Sequence, residues 1–128
     1  MLGHTYRYHV YNGTGASVTC TVKARAMKFA SDGSRTDDTE ATHISAVSVG
    51  AGAYSNSSTV DNSTAKQLGA DVQFVAAPGA SATGTVALYL QRSTDGGTTW
   101  PANGQGEPVA AVGFSSSSAS VTTQGAIR

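Results

Sequence analysis

A chain of 128 residues with a formal net charge of +0 has the size of one domain and is too short for two independent cores. Charged residues make up only 12% and hydrophobic residues 39%, so the polar surface must come from Ser, Thr, Asn, Gln and Gly, which favours short strands with tight turns over a helical bundle. The basic residues are scattered and no apolar run is long enough for a membrane-spanning helix, so neither nucleic acid nor a membrane is an expected partner.

Residues Met1 to Arg7 contain no basic region followed by an apolar run, so no signal peptide is expected and synthesis in the cytoplasm of the producing cell is. Thr5 to Tyr11 predicts a strand with Tyr6, Tyr8 and Val10 on one face and Thr5, Arg7, His9 and Tyr11 on the other. Asn12-Gly13-Thr14-Gly15 reads as a turn. Ser17 to Ala26 resumes the alternation with Val18, Cys20, Val22, Ala24 and Ala26 inward, and the two strands are expected to form a hairpin. Cys20 is the only cysteine, which excludes an internal disulfide and makes it a small buried hydrophobe.

Met27 to Ala30 and Ala65 to Leu68 each have room for one helical turn, and the polar run Ser31 to Glu40 predicts a loop or protruding arm. Thr42 to Val49 predicts a strand whose two faces are poorly distinguished, followed by a small-residue linker from Gly50 to Ser58. Leu68, Ala70, Val72 and Phe74 form one face of the next strand, with Gln67, Asp71 and Gln73 on the other. After a loop from Pro78 to Gly84, Val86, Leu88 and Leu90 alternate with Ala87, Tyr89 and Gln91; Val109 to Phe114 adds a strand and Ser118 to Thr123 the last. The Ser-rich tail from about residue 115 is expected to be extended or frayed. Together these elements predict an all-β fold: one antiparallel β-sandwich, jelly-roll or immunoglobulin-like, of about seven short strands over residues 1–128.

No catalytic constellation emerges. His4, His9 and His43 are far apart in sequence and read as hydrated polar strand positions, Asp37, Asp38 and Glu40 lack the spacing and glycine of an EF-hand loop, and neither a nucleophile elbow nor a P-loop is present. The expectation is a protein that is not an enzyme and uses no metal or cofactor. The sequons at Asn12, Asn56 and Asn62 are chance products of a Ser/Thr-rich composition.

The run Ser93-Thr94-Asp95-Gly96-Gly97-Thr98-Thr99-Trp100 resembles the Asp-box pattern S-x-D-x-G-x-T-W of sialidase propellers and several unrelated β proteins. Ser and Asp side chains can bond turn backbone, Gly96 and Gly97 permit positive φ, and Trp100 can fold back over the hairpin. The resemblance implies a structural hairpin carried by Ser93, Asp95, Gly97, Thr99 and Trp100. It does not imply a sialidase, since a propeller needs several four-stranded blades.

A broader resemblance covers the last third of the chain. Thr85-Val86-Ala87-Leu88-Tyr89-Leu90-Gln91-Arg92 running into the Asp-box turn, then Pro101 to Val112 with Gly104-Gln105-Gly106-Glu107, resembles small virion proteins of tailed bacteriophages. It implies a head-decoration, collar or tail-accessory component that docks on other virion proteins, commonly as a homo-oligomer. Tyr6, Tyr8 and Tyr11 are interface candidates, with segments 50–64 and 115–128; the competing reading puts Tyr6 and Tyr8 in the core. The alternative function is a carbohydrate- or receptor-binding module in which Trp100, Asn103, Gln105 and Glu107 contact a host glycan.

Overall fold

A computed structural model describes residues 1–128. The alternation of apolar residues builds ten strands and no helix: β1 Thr5–Asn12, β2 Val18–Phe29, β3 Arg35–Asp37, β4 Ala41–Val49, β5 Tyr54–Asn56, β6 Val60–Asp61, β7 Gly69–Pro78, β8 Ala82–Ser93, β9 Glu107–Ser117 and β10 Val121–Ile127. They form two antiparallel sheets packed as a sandwich. The first runs β5-β1-β8-β9 with β6 also on β1; the second runs β10-β7-β2-β3 with β4 also on β2. Two long nested pairs dominate: β1 lies against β8 from Thr5↔Ser93 to Asn12↔Val86, and β2 against β7 from Val18↔Pro78 to Met27↔Gly69. One pair serves each sheet, so the chain resembles a long hairpin rolled over on itself.

Between the sheets lies a core of 21 buried apolar residues, including Tyr6, Tyr8 and Val10 from β1, Val18, Cys20, Val22 and Ala24 from β2, Ala70, Val72, Phe74 and Ala76 from β7, and Val86, Leu88 and Leu90 from β8. These are the inward faces that period-two alternation predicts. Burial pushes the Cys20 thiol up to about 11, as expected of an inert packed group.

The structure differs from the sequence reading in several places. The first two strands are not a hairpin, because β1 and β2 belong to different sheets. The reason is Asn12, whose fully buried side chain donates to the carbonyls of Ala16, Val49 and Gly50 (2.8, 2.9 and 3.1 Å) while its Oδ1 accepts from the backbone and hydroxyl of Thr14. This network turns the chain across the sandwich instead of back along β1.

Met27 to Phe29 continue β2 instead of forming a helical turn, paired with β3 in an exposed arm. Gly50 to Ser58 is not only linker, since Tyr54–Asn56 forms β5 on the edge of β1. The tail from residue 115 is not frayed: Ser115 to Ser117 finish β9 and Val121–Ile127 pairs with β7 along its length. At the start of β7 the faces are reversed, with Gln67 buried and Leu68 40% exposed, because those two residues precede the strand and Gln67 is held by Asn62.

The ambiguous faces of Thr42 to Val49 have a physical cause. Ile44 and Val49 are both buried although an unbroken strand would point them to opposite sides. The β2–β4 register shifts around Cys20 and Val22, and Ala46 takes φ 47 with its N–H on the Thr21 hydroxyl. A bulge thus restores burial after an odd spacing.

Phe74→Ala is expected to lower unfolding free energy by about 3–5 kcal/mol in urea denaturation, because Phe74 is fully buried at the sandwich centre. Leu68→Ala, at an exposed side chain, is expected to change it by less than about 0.5 kcal/mol.

Candidate functional site

The long connection between β8 and β9 folds over the outer face of the first sheet. Its first turn is organised by two side chains: the Ser93 hydroxyl accepts the Gly97 N–H at 2.9 Å and donates to Asp95 at 2.7 Å, and Asp95 Oδ1 accepts the N–H groups of Thr98 and Thr99 at 3.1 and 2.8 Å. The hydrogen bonds from Thr99, then that from Ser93, hold the Asp95 carboxyl down at about 2. Trp100 turns back so that its indole N–H donates to the Gly97 carbonyl at 3.0 Å, while Gly96 and Gly97 take φ 76 and 101. The Arg7 guanidinium lies 4.3 Å from the centre of the Trp100 ring, a cation–π contact between loop and sheet.

Gln91 anchors the rest of the connection. It faces outward from β8 opposite Arg7, yet it is fully buried: its Nε2 donates to the carbonyls of Gln105 and Ala102 at 2.8 and 3.2 Å, and its Oε1 accepts from Arg7 Nε at 2.9 Å. Gly106 permits the close return to the sheet. It takes φ 141, and a Cβ there would sit 2.7 Å from the Leu90 carbonyl oxygen.

His9 is covered by the same segment. Gly104 N–H donates to His9 Nε2 at 2.9 Å, so Nε2 is unprotonated and Nδ1 carries the proton, donating to Asn56 Oδ1 at 2.6 Å. The ring lies between Tyr54 and Tyr89, at 5.5 and 6.2 Å. The expectation of a hydrated histidine is therefore corrected: His9 is a fully buried link between β1, β5 and the β8–β9 connection. No cluster of three or more metal-ligating side chains occurs in the chain.

The interface candidates divide. Tyr6 and Tyr8 point into the core and are not available for docking, which is the correction that period-two alternation already allowed; Tyr11 is partly exposed on the opposite face, against Gly104. The glycan candidates lie on one side of the molecule, but several are engaged. Arg7 covers one face of Trp100, Glu107 bonds Arg92 at 2.8 Å, and only the Asn103 and Gln105 side chains are exposed without a protein partner.

Two other surfaces stand out. Edge strands β4 and β5 lie against each other on one side of the sandwich, as β9 and β10 do on the other. From Ala41 to Val60 the chain has no Asp, Glu, Lys or Arg, and this edge carries Val47 and Tyr54 at 39% and 48% exposure. On the outer face of the second sheet, Gln124, Gln73 and Lys23 stand side by side across β10, β7 and β2, in an open groove of about 600 Å³ that also includes Arg25, Glu40 and Asp71. Comparison with protein-family models, curated proteins and solved structures finds no significant match.

Sequence reasoning missed Gln91, His9 and the uncharged edge as organised features. The first two sit at outward strand positions, where polarity alone does not distinguish hydration from a covering loop. The absence of charge between residues 41 and 60 was readable, but its position on two adjacent edges was not.

Gln91→Ala leaves the Gln105 carbonyl and Arg7 without their partner, and is expected to cost about 2 kcal/mol and to speed hydrogen exchange at the Gly104 amide. Acid should act through the histidines. Desolvation, with the Arg7 charge adding and the Asn56 bond opposing, holds His9 below its usual 6.5, and desolvation does the same for His43. The unfolded chain therefore takes up these protons first, so their contribution is full above about pH 6.5 and is lost as pH falls below it. The thermal midpoint is expected to fall between about pH 7 and about pH 5, and a His9→Gln/His43→Gln variant to be flat there, since Asp32, Asp61 and Asp95 are held below 3.8 and titrate lower.

Proposed function

We propose that this chain is a non-enzymatic structural component of a tailed-phage virion, a head-decoration, collar or tail-accessory protein that acts by docking on the particle. The observation that carries the reading is the uncharged β4–β5 edge. Natural sheet edges are blunted with Lys, other charges, Pro, bulges or short strands, because unpaired N–H and C=O groups invite another strand; this edge has a bulge in β4 and a three-residue β5 but no charge. Here the edge bears Ser, Ala, Val, Asn and Tyr, with Val47 and Tyr54 exposed. The sequence resemblance over the last third of the chain supplies the phage context. The first occupant of the edge is a second copy of the chain, paired across a closed symmetric interface, with other virion proteins beyond it.

Light scattering after size exclusion tests this. The native chain is expected as a stable closed oligomer, and Val47→Lys/Tyr54→Lys as a monomer that keeps the native far-UV circular dichroism but melts at a lower temperature, since assembly stabilises the native state and Tyr54 packs on His9. A native monomer that also fails to bind phage particles would overturn the reading.

A second reading, a carbohydrate- or receptor-binding module, is favoured by the groove on the second sheet, where amide, carboxylate and basic side chains are exposed together. Host polysaccharide retained by the native chain and released by Gln73→Ala/Gln124→Ala would support it over docking.

A further inference from the structure

Between the two sheets, at the end of the sandwich near the start of β1, a partly enclosed cavity of about 170 Å³ is lined by Tyr6, Tyr8, His43, Asp38, Asp61 and Gln67, with small alanines completing its wall. Two of these lining residues each carry a polar atom buried without a protein partner: the Tyr8 hydroxyl, on a side chain that is fully buried, and the Gln67 Oε1, on a residue only 5% exposed. An unmatched buried polar group is costly, so such atoms mark a place where something else completes the bonding. Gln67 is not free to turn its amide. Its Nε2 donates to Asp38 Oδ2 at 2.5 Å and its backbone is held by Asn62 from both sides, which leaves Oε1 as an unpartnered acceptor.

The remaining chemistry has one sign. Asp38 and Asp61 are both on the wall and no Lys or Arg is, so an anion is disfavoured. Tyr6 and Tyr8 meet edge to face at 6.0 Å and Tyr8 and His43 lie 4.7 Å apart, bringing three π-systems to one cavity. Carboxylates, an open amide oxygen, a phenol oxygen and aromatic rings together are the donor-seeking environment that accepts an ammonium group. The volume is comparable to the roughly 150 Å³ of a cavity that admits benzene, enough for a short alkyl stem against the alanines.

We propose that this cavity is a binding site for a primary alkylammonium group, either a free aliphatic amine or the end of a lysine side chain from a partner protein. The ammonium faces the Asp38 carboxylate and, with a small shift of the two side chains that exposes their buried oxygens, donates to Gln67 Oε1 and Tyr8 Oη, while its methylene stem lies against Ala24, Ala26 and Ala41. The cavity takes Ala41 and His43 from β4 but neither of the exposed edge residues Val47 and Tyr54, and the proposal does not depend on the docking role.

The test is an NMR titration of the full chain, following the Tyr8 and His43 side-chain resonances, with n-butylammonium, 1-butanol and butyrate as probes of matched size. Butylammonium is expected to bind roughly tenfold or more tightly than butanol, and butyrate not to bind. Asp38→Asn, at an exposed residue, is expected to remove the preference for the cation. Tyr8→Phe is expected to weaken binding several-fold without loss of thermal stability, because it deletes an unpartnered buried hydroxyl. Nα-acetyl-lysine methylamide separates the sources: binding equal to butylammonium assigns the site to a protein lysine, and binding of butylammonium alone assigns it to a free amine. Equal affinity for butanol and butylammonium would overturn the proposal in favour of hydroxyl recognition. So would resonances that no probe shifts, which would make the cavity a place for water only.

Discussion

The fold depends on a strand that is buried on its inner face and largely covered on its outer one. β1 lies at the centre of the first sheet with Tyr6, Tyr8 and Val10 in the core, while its outer face carries Thr5, His9 and the partly covered Arg7 and Tyr11 beneath the β8–β9 connection. Such a strand leaves few polar atoms to water, so nearly all of them are partnered inside the protein, the Tyr8 hydroxyl being the exception. This constraint explains why the molecule has so many side chain to backbone bonds outside its ladders: Ser57 accepts the Tyr8 N–H, Asn56 and Gly104 satisfy His9, and Asn12 closes the far end.

Asparagine and glutamine do at the corners what apolar packing does at the centre. Asn12, Asn62 and Gln91 are all buried; Asn12 and Asn62 each bond backbone groups of different segments, and Gln91 bonds two carbonyls of the β8–β9 connection. A two-ended amide can accept and donate at once, which lets one residue clamp a crossover between sheets. The same logic extends to the Ser93–Asp95 turn, where one hydroxyl and one carboxylate organise a loop rich in glycine. The chain thus keeps long connections ordered with few ion pairs and no disulfide.

Low charge has a second consequence at the surface. With 12% charged residues, whole faces are left to small and amide side chains, and the β4–β5 edge has none of the charges that ordinarily discourage strand addition. The charged groups that exist are concentrated elsewhere: Arg35 with Asp37 and Asp71 on the arm, and Asp38 and Asp61 around the internal cavity. The molecule therefore presents an uncharged side, a polar groove and an acidic cavity as three distinct environments.

The linear pattern by itself determined the β class, the inward faces of β1, β2, β7 and β8, and the hydrogen-bonding residues of the Ser93 to Trp100 turn, because period-two alternation and side chain to backbone bonds at short spacing are local properties. The odd spacing of Ile44 and Val49 appeared as ambiguity and was in truth the trace of a bulge. Only the tertiary structure decided that β1 pairs with β8 and β2 with β7, that the last strand starts at Val121 and runs on to Ile127 along β7, that His9 and Gln91 are covered, and that Tyr8 and Gln67 share a cavity. Each of these depends on contacts between residues distant along the chain. An outward polar residue looks the same in sequence whether water or a returning loop lies above it.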